Sequence, residues 1–205
     1  MARSECERCR RPAGHCLCSS IPCLDSRTRV LVLQHPSEAR HALNTGRLVA
    51  LGLRHAELWV GERFDGLAER LSEPGVSAAL LFPGEGATVV EDASAWPAGQ
   101  RLLVVPDGTW RKARKLLYLN PVLETLPRLT LPAGLASRYR LRKAPGPEAL
   151  ATVEAVAQLL QRLDAPLDFR ALLEPFETMI EGQIEAMGEQ TYRRNHAPAK
   201  GGDTG

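Results

Sequence analysis

At 205 residues the chain can bury one full core plus a small appended segment. A hydrophobic fraction of 44% and a charged fraction of 24% exclude a disordered or fibrous chain. No apolar run reaches a membrane span and the N-terminus lacks a signal-peptide core, so no membrane partner and a cytoplasmic location are expected. The formal net charge of +2 is unevenly spread. Residues 101–145 carry ten Lys/Arg against two acids, and residues 148–189 carry nine acids against two Arg. A basic segment of that density is either a footprint for a polyanion or a solvated helix face.

The first zone, residues 1–27, holds all five cysteines. Their spacing is Cys6-x2-Cys9-x6-Cys16-x-Cys18, with Cys23 five residues further on. Two close thiolate pairs on a short loop suit tetrahedral Zn²⁺, and metal binding would supply the folding energy that so small a loop cannot obtain from burial. Without a secretion signal, disulfides are the weaker reading. Cys6, Cys9, Cys16 and Cys18 are the expected ligands of a structural zinc, with His15 and Cys23 as alternates.

From residue 28 to 189 short Val/Leu-rich runs alternate with longer periodic segments. Arg29–Gln34, Glu57–Val60, Ala78–Phe82 and Leu102–Val105 read as buried strands, with Arg128–Leu131 a weaker fifth. Helical patterns fall at about 38–53, 63–72, 110–119, 148–163 and 169–187. In the last of these, Phe169, Leu172, Leu173, Phe176, Ile180, Ile184 and Met187 form a stripe that reads as core packing. Strands alternating with helices predict an α/β domain with a mostly parallel sheet flanked by helices. Residues 190–205 lack periodicity and read as a flexible tail.

Open parallel sheets bind ligands at the carboxyl ends of their strands. Two turn signals lie there: Leu81-Phe82-Pro83-Gly84-Glu85-Gly86, and Val104-Val105-Pro106-Asp107-Gly108-Thr109-Trp110. In the second, Gly108 permits a close ligand approach, Thr109 can cap the next helix, Asp107 puts a carboxylate at the sheet edge and Trp110 offers an aromatic surface. Taken alone, Asp-Gly-Thr reads first as a plain turn and cap. The helix that follows is basic through Arg111, Lys112, Arg114 and Lys115. A third patch, Arg138-Tyr139-Arg140-Leu141-Arg142-Lys143-Ala144-Pro145, combines cations with a tyrosine that can hold phosphates and stack on a base, although a bare charge run is more often solvated surface.

Together these pieces resemble the DTW-domain family of tRNA-uridine aminocarboxypropyltransferases, over a stretch from Cys6 to about Glu181. The naming signature Asp-x-Thr-Trp stands as Asp107-Gly108-Thr109-Trp110, followed by Lys112-Ala113-Arg114-Lys115. The Cys6–Cys9 and Cys16–Cys18 pairs, Gln34-His35-Pro36-Ser37-Glu38 with Asn44-Thr45-Gly46, Phe82-Pro83-Gly84 and Leu141–Pro145 also look like family elements in the family's order.

The resemblance implies a SPOUT-like fold with a C-terminal trefoil knot over residues 28–189. It implies transfer of the 3-amino-3-carboxypropyl group of S-adenosylmethionine (SAM) to N3 of a tRNA uridine. Asp107 would be the catalytic residue, either as the base for the N3 proton or as a ligand of SAM. Pro83, Gly84, Glu85, Gly108, Thr109, Trp110, Arg142 and Ala144 would complete the SAM site, and Arg111, Lys112, Arg114, Lys115, Arg140 and Lys143 would hold tRNA phosphates. Transfer to ribosomal RNA, SAM-dependent RNA methylation and a zinc-containing RNA-binding module without activity are the competing readings. A monomer and a homodimer both fit.

Overall fold

The computed structural model describes residues 4–96, 99–138, 150–188 and 191–192. Six strands, β1 (Arg29–Gln34), β2 (Ala56–Val60), β3 (Val76–Leu81), β4 (Thr88–Val89), β5 (Gln100–Asp107) and β6 (Arg128–Thr130), form one sheet in the order β2-β1-β5-β3-β6-β4. Every pairing is parallel. The α/β class and the five expected strands are therefore present, and the two-residue β4 is an addition. It is too short to leave a run in the sequence.

Alternation along the strands sends side chains to opposite faces. Val30, Val32, Leu103 and Val105 point to one face, where α1 (Gly46–Gly52), α4 (Thr152–Leu163) and α5 (Glu174–Met187) cover them. Leu31, Leu33, Leu102 and Val104 point to the other, covered by α2 (Leu67–Leu71) and α3 (Trp110–Leu119). The stripe from Phe169 to Ile180 is buried as core, with Ile184 and Met187 packed at its margin. A 3-10 turn over Arg170–Leu173 precedes α5, whose Pro175 sits in the first turn, where the absent N–H costs no helical bond.

The segment expected as a helix over 38–53 is helical only from Gly46. Upstream of it, side chains take over the backbone's hydrogen bonds. The His35 ring accepts from Ser37 N, the His41 ring accepts from Leu43 N, and Asn44 donates to Glu38 O at 2.9 Å while accepting from Arg47 N at 3.1 Å. The helix expected over 63–72 shortens to α2 behind Gly66, whose φ of 77° breaks the helical path. Among the described residues no helix is long and apolar enough to cross a membrane.

The cysteine-rich segment is not insulated from the domain: Cys9, Leu17 and Ile21 are buried in the same cluster as α1, α4 and α5. Arg11 extends from it to the carbonyls of Ala42 and Asn44. Of the expected tail, only Thr191 and Tyr192 fall within the described residues.

Candidate functional site

Strands β1 and β5 are neighbours in a register that sets Gln34 beside Asp107 at their carboxyl ends. In a parallel pair such partners face the same side, here the side of α1 and α4. Both are buried, Asp107 at 6% exposure. Gln34 Nε2 donates to Asp107 Oδ2 at 2.7 Å and to Asn44 Oδ1 at 3.1 Å. The hydroxyl of Thr152, the first residue of α4, donates to Asp107 Oδ1. His35 N donates to the Asp107 carbonyl at 3.0 Å.

Burial pushes the Asp107 carboxyl above its usual range. The hydrogen bonds from Thr152 and Gln34 work against that rise, and the charge of Glu38 adds to it. Among the described residues no cation pairs with Asp107. Gln34 Oε1, buried beside it, has no hydrogen-bond partner there. This is a carboxyl poised to hold a proton or receive a cation. Asp164 is the contrast: also fully buried, it is saturated by Arg27 N, Thr28 N and the Thr28 hydroxyl, and works as a staple between β1 and the end of α4.

Gly46 closes the pocket. A Cβ at that position would lie 2.5 Å from Asp107 Oδ2 and 2.7 Å from its Cγ. Gly46→Ala should therefore cost about 1–3 kcal/mol and lower the melting temperature by about 2–12 °C. Calorimetry checks this, and an unchanged melting temperature would show that the carboxylate gives way freely.

The turn beyond Asp107 behaves as its residues require. At Gly108 a Cβ would meet Lys112 Cβ at 3.0 Å, so only glycine fits without displacement. Thr109 accepts from Lys112 N at 3.4 Å and caps α3. Trp110, 43% exposed, stands edge-on to Phe82 with ring centroids 5.6 Å apart. Because β3 lies next to β5, the exposed turn Pro83-Gly84-Glu85 opens on the same sheet edge.

The basic residues divide. Lys112 Nζ is committed to Glu38 at 2.6 Å, and Lys115 Nζ to Glu62 at 2.8 Å. His35 Nε2 lies 2.9 Å from the same Glu62 oxygen. The Lys115 hydrogen bond is the main reason the Glu62 carboxyl sits below its ordinary range. Arg111 and Arg114 are exposed and make no ion pair among the described residues. Arg140, Arg142, Lys143 and Ala144 lie outside the described residues. The flanks of that segment converge on one group: the buried Glu154 carboxylate accepts from Ser137 Oγ at 2.8 Å, Arg138 N at 2.6 Å and Ala151 N at 2.8 Å. Thr152, the donor to Asp107, follows directly.

Cys6, Cys9, Cys16 and Cys18 bring four sulfurs within 4.8 Å of one another. Cys6 to Cys18 is 3.6 Å and Cys9 to Cys16 is 3.8 Å. Four sulfurs around a tetrahedral zinc stand about 3.8 Å apart, so the spacing fits. The amides of Cys9 and Arg8 bring the Cys6 thiol down to about 6, whereas burial and the neighbouring Cys6 thiol raise Cys18 to about 12. Cys6 and Cys18 cannot ionise together unaided, a conflict that a bound cation resolves. His15 and Cys23 do not belong to the cluster. The turn is held by Arg10 N donating to Cys6 O at 2.8 Å, with Arg10 at φ 58°.

Reading the sequence by itself assigns no site role to Gln34, Asn44, Gly46 or Thr152. The first three fall in stretches already noted as motif-like, whereas nothing local marks Thr152, whose partner lies 45 positions away.

The DTW domain model matches residues 3–184. A Drosophila melanogaster protein named tRNA-uridine aminocarboxypropyltransferase 2 is 30% identical over 194 residues, covering 89% of this chain and 76% of its own. A Macaca fascicularis protein of the same name is 28% identical, covering 95% and 68%. An Arabidopsis thaliana protein named tRNA-uridine aminocarboxypropyltransferase A is 27% identical, covering 79% and 73%. No solved structure matches significantly.

Proposed function

The chain belongs to the DTW-domain family, and from that premise we propose that it transfers the 3-amino-3-carboxypropyl group of SAM to N3 of a uridine in tRNA. The observation that carries the chemical part is the buried Asp107 carboxyl at the carboxyl end of β5, which no cation pairs with among the described residues. The donor brings a sulfonium and an ammonium, and the acceptor must lose a proton. A carboxyl held in a low-dielectric pocket serves either demand.

In the reaction, N3 forms a bond to the arm carbon next to sulfur, the carbon–sulfur bond breaks, and the sulfur leaves as a neutral thioether. The N3 proton passes to Asp107. Gln34 and Thr152 fix the carboxylate's orientation, leaving lone pairs on both oxygens for that transfer. Alignment of the two reactants supplies much of the acceleration. A second role for Asp107, holding the donor's ammonium, is favoured by the same two hydrogen bonds, since both stabilise the ionised carboxylate.

The donor site is assigned to Pro83, Gly84, Glu85, Gly108, Thr109 and Trp110 at the shared sheet edge, with Arg142 and Ala144 from the segment whose flanks meet at Glu154. The tRNA phosphates are assigned to Arg111, Arg114, Lys115, Lys112, Arg140 and Lys143. Arg111 and Arg114 lead because no acid engages them among the described residues. The SPOUT-like placement and C-terminal knot belong to this reading, supported by a wholly parallel sheet into whose middle β5 inserts. Zinc is assigned to Cys6, Cys9, Cys16 and Cys18, where it would hold the N-terminal loop against the core.

The test is incubation with SAM and unmodified tRNA, followed by nucleoside mass analysis. The expected product is a uridine heavier by one aminocarboxypropyl group. A methyl-sized gain would replace this reading with methylation, and modification of ribosomal RNA alone would move the substrate. Arg111→Glu combined with Arg114→Glu should weaken tRNA binding by at least about ten-fold and leave SAM affinity unchanged. Equal tRNA affinity would remove α3 from the interface.

A further inference from the structure

On the face of the sheet opposite Asp107, α3, β6 and the segment between them line an open-mouthed cavity of about 490 Å³ that the transfer chemistry does not use. Its floor is apolar, from Phe82 and Leu117, both buried in the cluster beneath α2 and α3. Phe82 is held in place from two directions: Trp110 meets it edge-on, and the Arg128 guanidinium lies 5.8 Å from its ring centroid. Tyr118 forms one wall and is 82% exposed, the most exposed large hydrophobic side chain among the described residues. Two guanidinium groups complete the rim. Arg128 is neutralised by Glu124, whereas Arg114 has no ion-pair partner among the described residues.

An exposed aromatic wall, an apolar floor and one uncommitted cation ask for a planar ring carrying a single negative charge. The volume lies within the range of small-ligand sites, about 300–1,000 Å³, and is ample for one nucleotide. The sheet separates this cavity from Asp107, which faces Gly46 and Thr152 on the other side. The nucleotide bound here is therefore not the one that reacts.

We propose that the cavity is a subsite for an unpaired RNA nucleotide flanking the modified uridine. Its base stacks on Tyr118 and its phosphate pairs with Arg114. The inference rests on the RNA-modifying reading above and adds to it a contact that selects a locally single-stranded substrate.

The test measures affinity for tRNA and for a short single-stranded oligoribonucleotide by fluorescence anisotropy, with SAM affinity measured separately by calorimetry. Tyr118→Ala should weaken RNA binding about ten-fold, and Tyr118→Phe, which keeps the ring, should bind like the wild type. Arg114→Ala should lower the slope of log affinity against log salt by about one. RNA affinity unchanged in Tyr118→Ala would overturn the subsite while leaving the transfer reading intact. A loss of SAM affinity in that variant would overturn it differently, by giving the cavity to the donor's adenine. A wild-type protein with no measurable RNA affinity would defeat the subsite and the transfer reading together. The side chain's exposure makes misfolding of either Tyr118 variant no obstacle.

Discussion

Asp107→Asn should cut the transfer rate by about two to four orders of magnitude and at the same time raise the melting temperature at neutral pH. The first effect follows from removing the proton acceptor. The second follows from burial, which makes the charged form of this carboxyl costly. Because its native pKa is raised, stability from this group is complete below the unfolded value of about 3.9 and is lost as pH rises through the native value. Asparagine cannot ionise, yet its amide can accept from Gln34 and donate to the Thr152 hydroxyl. The gap in melting temperature between Asn and Asp should therefore be absent in strong acid and widen as pH increases. A stabilised variant with full activity would take the base role away from Asp107. One that loses SAM affinity as steeply as rate would make Asp107 a holder of the donor's ammonium.

The second large effect is expected at the cysteines. Cys6→Ser or Cys18→Ser should reduce bound zinc from one per chain to nearly none and lower the melting temperature by at least about 10 °C. The penalty is large because the loop is not peripheral. Cys9, Leu17 and Ile21 are buried with α1, α4 and α5, and Arg11 reaches the Asn44 carbonyl, one side chain from Gln34. Loosening the loop should thus be felt at the Asp107 pocket as well. Elemental analysis and calorimetry on the same preparations check both halves. Zinc lost with no change in stability would leave the metal without a structural role.

Much of this architecture was legible because burial leaves simple marks. The Val/Leu runs ending at Gln34, Phe82 and Val105 announce strands covered on both faces, and Thr109 followed by an amphipathic basic segment announces α3. The cysteine spacing announces four converging sulfurs. The misses share a cause in contacts remote in sequence or carried by side chains. Residues 38–45 have helical periodicity, but His35, His41 and Asn44 outbid it with local side-chain bonds. The environment of Asp107 depends on Gln34, Gly46 and Thr152, which the chain assembles from β1, α1 and α4. No local pattern encodes that meeting. Lys112 and Lys115 looked equivalent to Arg111 and Arg114 as a charge run, yet only folding reveals that Glu38 and Glu62 already occupy the lysines.

The most direct measurement follows a carbon label. SAM labelled in its amino-acid arm, and separately in its methyl group, is supplied with unmodified tRNA, and the RNA is recovered. The account predicts that the arm label enters RNA while the methyl label stays with the small-molecule thioether. Methyl label in the RNA, with the arm label left behind, would contradict it.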